Sequence, residues 1–308
     1  MKLVNYQLKE LDESRVGCLI NDQVLDLQDA YKQYLISVHE EKSVDQLEQE
    51  LPSNPQHFFT RGIPAIEKAQ KALNYNLEQE AIELRMNREE LRLETPVPSP
   101  SKIICIGKNY ADHVEEMKGD IPEFPVLFAK YDNALIGPEA YIEKPAFTKE
   151  LDYEVELAVV IGKEASKVLK DEAFQYIAGY TIGNDTTARD LQKRTPQWLQ
   201  GKTLDRSTPI GPCIVTTDEI TDPANLQIKS FVNGEERQSS NTSNLIFDIP
   251  FLIQFISRLI TLKPGDIIMT GTPNGVGFAR NPAQFLQDGD VVGVEVEQIG
   301  HMENKVVE

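Results

Sequence analysis

Residues 151–162, LDYEVELAVVIG, constrain the fold of this chain more than any other stretch. The second half is a run of β-formers closed by Gly162, which predicts a strand. Glu154 and Glu156 stand two apart, so a strand points both side chains to one face. Like charges side by side cost free energy unless a proton or a cation sits between them. The apolar run that follows carries the strand into a core, where unpaired charge is costlier still. A bound divalent metal relieves the repulsion; a polar strand edge meeting water avoids it. Spacing alone leaves both open.

At 308 residues the chain has room for one large or two modest domains around a buried core. Its formal net charge of -18 opposes nucleic-acid or anionic-membrane partners, which require a basic footprint. A small anionic substrate stays open, since it needs only a local positive field. The N-terminus lacks the apolar core of a secretory signal. No run is long enough to span a bilayer, because Leu245 to Leu262 is interrupted by Asp248, Pro250, Gln254 and Arg258. Cys18, Cys105 and Cys213 are far apart with no CxxC pair, a pattern expected of a cytoplasmic protein without disulfides or a zinc site.

Residues 1–95 read as a small N-terminal α+β domain. Strands are expected at Lys2–Leu8, Arg15–Ile20 and Gln23–Leu27, with a turn at Asn21-Asp22 and helix-rich segments over 35–51 and 63–93. His39 and His57 are isolated and read as surface residues, and the unit as a packing or oligomerisation module. The alternate prolines of Thr95–Ser101 hold the chain extended, so the boundary is placed there and 96–308 forms the second domain.

In that second part, a strand at Lys102–Ile106 precedes a short helix with Asn109 as N-cap and Gly119 as its end. His113 and Glu116, three apart, are neighbours on this helix. A histidine held by a carboxylate keeps one tautomer and can move protons near neutral pH; an ordinary surface pair has the same spacing. Strands are expected at Phe124–Tyr131 and Tyr176–Gly183, with a helix between them over Ser166–Gln175. Asp185 follows the second strand, either as an ion ligand or as a helix cap. Arg189 and Gln192 are three apart on the helix after it, and Lys202 lies beyond Trp198 in a proline-bounded loop. Asn233-Gly234 marks a hairpin. Pro250 opens a helix to about Leu259, with Asp248 or Ile249 near its cap. Gly271–Gly277 is a loop whose backbone N–H groups can approach an anion. Asp288-Gly289-Asp290 turns into what reads as the last strand, Val291–Val296.

Five stretches, IICIGKNYADHVEEM, LDYEVELAVVIG, GYTIGNDTTARDLQ, QGKTLDRSTPIGP and LKPGDIIMTGTPNGVG, together resemble the fumarylacetoacetate hydrolase family, in the family's order and over about two-thirds of the chain. The chain looks most like members acting on small 2-oxo acids: acylpyruvate hydrolases, oxaloacetate decarboxylases and isomerases of hydroxymuconate-type diacids. The resemblance implies a β-rich α+β fold, a rolled mixed β-sheet with flanking helices, assembled as a homodimer. It implies Mg²⁺ or Mn²⁺ held by Glu154, Glu156 and Asp185, with His113 and Glu116 as an acid/base dyad on a helix that orders over the substrate. Lys202 matches the lysine near the substrate oxygens, and Arg189, Gln192 and Thr272 match substrate- or water-contacting positions. The implied function is metal-dependent C–C bond cleavage of a small anionic 2-oxo acid, by oxaloacetate decarboxylation or acylpyruvate hydrolysis through a metal-stabilised enolate. The alternatives are an isomerase or tautomerase of a 2-hydroxymuconate-type unsaturated diacid, or a scaffold protein that retains the fold. Tyr131, after Lys130, and the length of the N-terminal region depart from the common pattern.

Overall fold

The glutamate-bearing strand, Val155–Ile161, is buried along its whole length in the computed structural model, which describes residues 1–9, 13–40 and 42–308. It lies antiparallel between Ile177–Asn184 and Ile267–Met269. Alternate side chains of a strand face opposite sides, so a strand covered on both faces must be apolar nearly throughout. Val155, Leu157, Val159 and Ile161 enter one core. Ala158 and Val160 enter a second core on the other face, the one that Glu156 shares by the same alternation.

The large sheet is mixed. Its strands run in the order Arg85–Asn87, Gln23–Asp26, Ser14–Ile20, Lys2–Leu8, Thr208–Thr216, Ile177–Asn184, Val155–Ile161, Ile267–Met269, Ile103–Gly107 and Val126–Lys130. Neighbours along this path are antiparallel except Ile267–Met269 with Ile103–Gly107. A second sheet, Glu235–Asn241, Gln227–Val232, Val291–Val296, Gly300–Val307 and Ile142–Glu143, packs on one face through Ile228, Val294 and Val296. Helix Ile249–Leu259 joins that core through Leu252, Ile253 and Ile256. The opposite face is covered by helices Leu27–Ser37, Pro55–Arg61 and Ile63–Glu78, which bury Tyr31, Phe58, Phe59, Ala69 and Ala72. The result is the expected strand-rich α+β architecture. Among the described residues no helix is long and apolar enough to cross a membrane.

The N-terminal strands join the large sheet, with Leu3 opposite Ile214. The proline segment bends over residues 96–99 instead of running extended, and it is packed, with Val97 buried in the core that holds Phe58 and Phe59. His39 and His57 are exposed. Asn233 and Gly234, at φ 54° and 79°, make the expected hairpin, and Asp248 caps its helix by accepting from Phe251 N at 2.8 Å.

Four local readings are corrected. The first helix begins at Leu27, and residues 85–87 and 91–94 return as strands. The expected helix at Ser166–Gln175 is a 3₁₀ segment, Lys170–Tyr176, because the preceding N–H groups are taken elsewhere: Ala165 donates to Leu262 O, Lys167 to Ser257 O and Val168 to Ser257 Oγ. Val291–Val296 is not the last strand, since Gly300–Val307 pairs with it and buries Met302, Asn304 and Val306. Asn109 does not cap the helix Ala111–Glu116, whose N-cap is Tyr110. The Asn109 side chain instead ties the ends of two strands to the bend before helix Ile249–Leu259, donating to Phe247 O and Thr270 O and accepting from Phe247 N.

Candidate active site

The antiparallel register sets Val155 opposite Asn184 and Glu156 opposite Gly183, so the residue after Asn184 arrives beside Glu154. Asp185 N donates to Glu154 O at 2.8 Å, and Glu154 N donates to Asn184 Oδ1 at 3.0 Å. Glu154, Glu156 and Asp185 are all buried, and each offers a carboxylate oxygen within 4.8 Å of the others'. Asp185 is not a helix cap, and the two glutamates do not meet open water.

This trio fits a divalent ion. Its donors are all carboxylate oxygens, which suits hard Mg²⁺ or Mn²⁺. Burial, with Asp185 and Glu154 alongside, pushes the Glu156 carboxyl well above its ordinary range. Among the described residues the buried Asp185 Oδ1 has no well-aligned hydrogen-bond donor, and Lys130 Nζ faces it at 2.9 Å as an ion-pair partner. The site therefore holds more negative charge than its hydrogen bonds satisfy.

Three buried cations offset part of that charge. Lys202 Nζ lies 2.6 Å from Glu154 Oε2 and 2.7 Å from Asp185 Oδ2. Arg189 bridges Glu154 Oε1 at 2.6 Å and Asp152 Oδ2 at 2.9 Å. Lys130 reaches Asp185 and also donates to Thr186 O and Lys202 O. Burial alone raises the Glu154 carboxyl; Lys202 and Arg189 outweigh it and hold the group well below its usual range. Lys202 is delivered by the turn Leu199–Lys202, packed so closely that a Cβ on Gly201 would lie 2.5 Å from Ala188 O and 2.6 Å from Gln192 N.

Lys130 and Asp152 were absent from the expected set, and both left a trace in the sequence. Asp152, Glu154 and Glu156 form a run of three carboxylates at alternate positions, and Lys130 ends an otherwise apolar strand. Asp152 is fully buried and accepts from Tyr153 N, Gly277 N and Phe278 N as well as Arg189.

The glycine loop after Met269 does gather anions, but they are the chain's own carboxylates. Gly271 N donates to Glu156 Oε2 at 2.7 Å, Gly275 N to Glu116 Oε1 at 2.9 Å and Gly277 N to Asp152 Oδ1 at 2.7 Å. Gly275 sits at φ +103°, where a Cβ would lie 2.1 Å from Arg237 O. Anchored in this way, Glu116 Oε2 stands 3.3 Å from His113 Nδ1. His113 is buried rather than on an open surface.

His113, Glu154, Glu156, Asp185, Arg189, Gln192, Lys202 and Thr272 line one cavity of about 350 Å³, with Phe128, Trp198 and Val114 as apolar wall. Glu116 stands behind His113. Gln192 Oε1 accepts from Arg189 at 3.2 Å. Thr272 Oγ1 gives its single proton to Val155 O and accepts from Gln238 Nε2. The cavity thus combines an acidic ion site, compensating cations and a fixed imidazole. That combination can polarise an anionic carbonyl compound and move a proton on its adjacent carbon.

The chain is similar to known proteins over its whole length. The family model described as fumarylacetoacetate (FAA) hydrolase, C-terminal, matches residues 102–307. A mitochondrial oxaloacetate tautomerase of Rattus norvegicus is 40% identical over 310 residues, covering 100% of this chain and 92% of the relative. The solved fumarylacetoacetate hydrolase of psychrophilic Exiguobacterium antarcticum superposes with a TM-score of 0.76 at 34% identity, over 100% of this chain and 99% of the other. The maleylpyruvate hydrolase of Sphingobium sp. SYK-6, solved with manganese(II) and pyruvate, gives a TM-score of 0.74 at 30% identity, over 100% and 99%.

Proposed function

The chain belongs to the fumarylacetoacetate hydrolase family of enzymes, and from that premise we propose that it catalyses keto–enol tautomerisation of a small 2-oxo diacid at a divalent-metal centre. The observation that carries this reading is a buried His113, oriented by Glu116, in the same cavity as the Glu154, Glu156 and Asp185 carboxylates. These three side chains would hold Mg²⁺ or Mn²⁺. When bound, such an ion supplies Lewis-acid polarisation of the 2-oxo group and lowers the cost of the enolate.

The remaining work falls to the chain's own residues. Lys202 and Arg189 balance the acidic floor, so that one substrate carboxylate can enter. Glu116 holds His113 by Nδ1, which leaves Nε2 to face the substrate's C3. In the ketonising direction C3 gains the imidazolium proton, the 2-hydroxyl proton passes to solvent, and His113 is recharged from solvent. Substrate composition is unchanged. The apolar wall of Phe128, Trp198 and Val114 limits water around the reacting carbon.

Tautomerisation requires a polarised oxo group and one acid/base, and this cavity offers both. Hydrolysis needs a placed nucleophilic water as well, a requirement that tautomerisation does not share. The tautomerase name of the rat relative supports the same choice. A second reading, cleavage of an acylpyruvate, is favoured by the pyruvate-bound maleylpyruvate hydrolase neighbour. One assay separates them. With Mn²⁺ or Mg²⁺ present, the ultraviolet absorbance of enol-oxaloacetate should decay faster than in buffer, with no pyruvate formed. Decay at the background rate alongside cleavage of acetylpyruvate would replace tautomerisation by hydrolysis, and pyruvate from oxaloacetate would replace it by decarboxylation.

A further inference from the structure

The cavity has a buried floor and an open rim, and the two differ in how their charges are matched. On the floor, Asp152, Glu154, Glu156 and Asp185 face Lys130, Arg189 and Lys202. A divalent ion would bring that set to one net positive charge, which the α-carboxylate of one 2-oxo acid neutralises. A second substrate carboxylate would find no surplus charge there.

The rim supplies it. Lys108, half-buried, and Lys193, exposed, both line the cavity mouth. Among the described residues neither forms an ion pair, whereas Lys130, Arg189 and Lys202 all do. Both are held in place. Lys193 follows Gln192 on the turn that carries Arg189, its N–H donates to Arg189 O at 3.2 Å, and its Nζ sits 3.3 Å from the centre of the Phe278 ring. Phe278 N in turn donates to Asp152, the partner of Arg189, so one buried ion pair positions both the lysine and the ring under it. Lys108 adopts φ +57°, a conformation that costs a side-chain-bearing residue free energy and that glycine or asparagine would take more cheaply. Asn109, locked by its three hydrogen bonds, fixes the chain beside it. The Lys108 ammonium points toward Gly119, at the end of the helix that carries His113 and Glu116.

We propose that Lys108 and Lys193 form a rim subsite that binds the second carboxylate of a short 2-oxo diacid, making the cavity selective for dianions over 2-oxo monoacids. This deepens the tautomerase reading and rests on it for the substrate's orientation. The pair also explains how a chain with net charge -18 collects a dianion, since the cavity mouth presents two cations that form no ion pair among the described residues.

The test is calorimetric binding to the Mn²⁺-loaded full chain, with pyruvate and 3,3-difluorooxaloacetate as probes; the latter has no C3 hydrogen and cannot tautomerise. The wild-type protein should prefer the diacid. In the double variant Lys108→Met, Lys193→Met that preference should fall roughly tenfold, the combined effect of losing two solvent-accessible charge contacts, and Lys193→Arg should retain most of it. An unchanged preference in the double variant, or no preference in the wild type, overturns the subsite. Selective binding without turnover of any enol would sink the tautomerase reading and leave the subsite standing.

Discussion

Replacing Arg189 by methionine tests the charge balance on which the site depends. Arg189 is 3% exposed, and its guanidinium is shared between Asp152, fully buried, and Glu154, 4% exposed. Methionine keeps the apolar stem and removes the charge. Breaking a buried pair by taking away one partner costs about 3–5 kcal/mol, because the other charge is stranded. Here two carboxylates are stranded, but neither is left alone. Asp152 retains three backbone N–H donors and Glu154 retains Lys202. The expected loss therefore lies at the low end, about 3 kcal/mol. Urea unfolding of the metal-free protein, read at a common slope, measures it. Asp152→Asn should be destabilising too, and the double variant should lose less than the sum of the singles by at least about 1 kcal/mol, as expected of residues in direct contact. A loss below about 1 kcal/mol for Arg189→Met, in the range of a surface pair, would refute the argument. So would strict additivity in the double variant.

Two further outcomes are expected. His113→Ala should lower turnover at least tenfold, a floor set below the usual ~10²–10⁴-fold contribution of acid–base catalysis, while Mn²⁺ affinity measured by calorimetry stays at the wild-type value; undiminished turnover would remove His113 from the chemistry. Glu156 should couple metal binding to pH: its folded carboxyl is raised above the ordinary 4.5, so its contribution to metal-free stability is complete below that value and is lost as pH rises through the raised one, while ion binding displaces its proton and tightens over that window. Titrations in buffers of different ionisation enthalpy should report proton release on Mn²⁺ binding in the wild type and less of it in Glu156→Gln.

Much of the candidate site was legible because it is written locally. The alternation of Glu154 and Glu156 before an apolar run identifies a charged end on a buried strand, and the three-residue spacing of His113 and Glu116 identifies a helical pair. What resisted sequence reading were contacts between distant segments. Asn109 has the composition of a helix cap, yet its amide joins Phe247 and Thr270, more than a hundred residues away. The loop at 271–277 has the composition of an anion cradle, and only the packed structure reveals that Glu116, Asp152 and Glu156 already occupy its N–H groups.

Period, spacing and residue type, properties of neighbours along the chain, were enough to determine a strand-rich α+β protein, an acidic pair at the start of a buried strand, with Glu154 just ahead of it, and a histidine beside a glutamate. Which charges meet was decided by folding alone. Lys130, Arg189 and Lys202 come from three separate segments, and their claim on the Asp152, Glu154 and Asp185 carboxylates depends on strand register and on the close approach at Gly201. Electrostatic energy in a buried site depends on ångström separations, and those exist only after the chain has closed on itself.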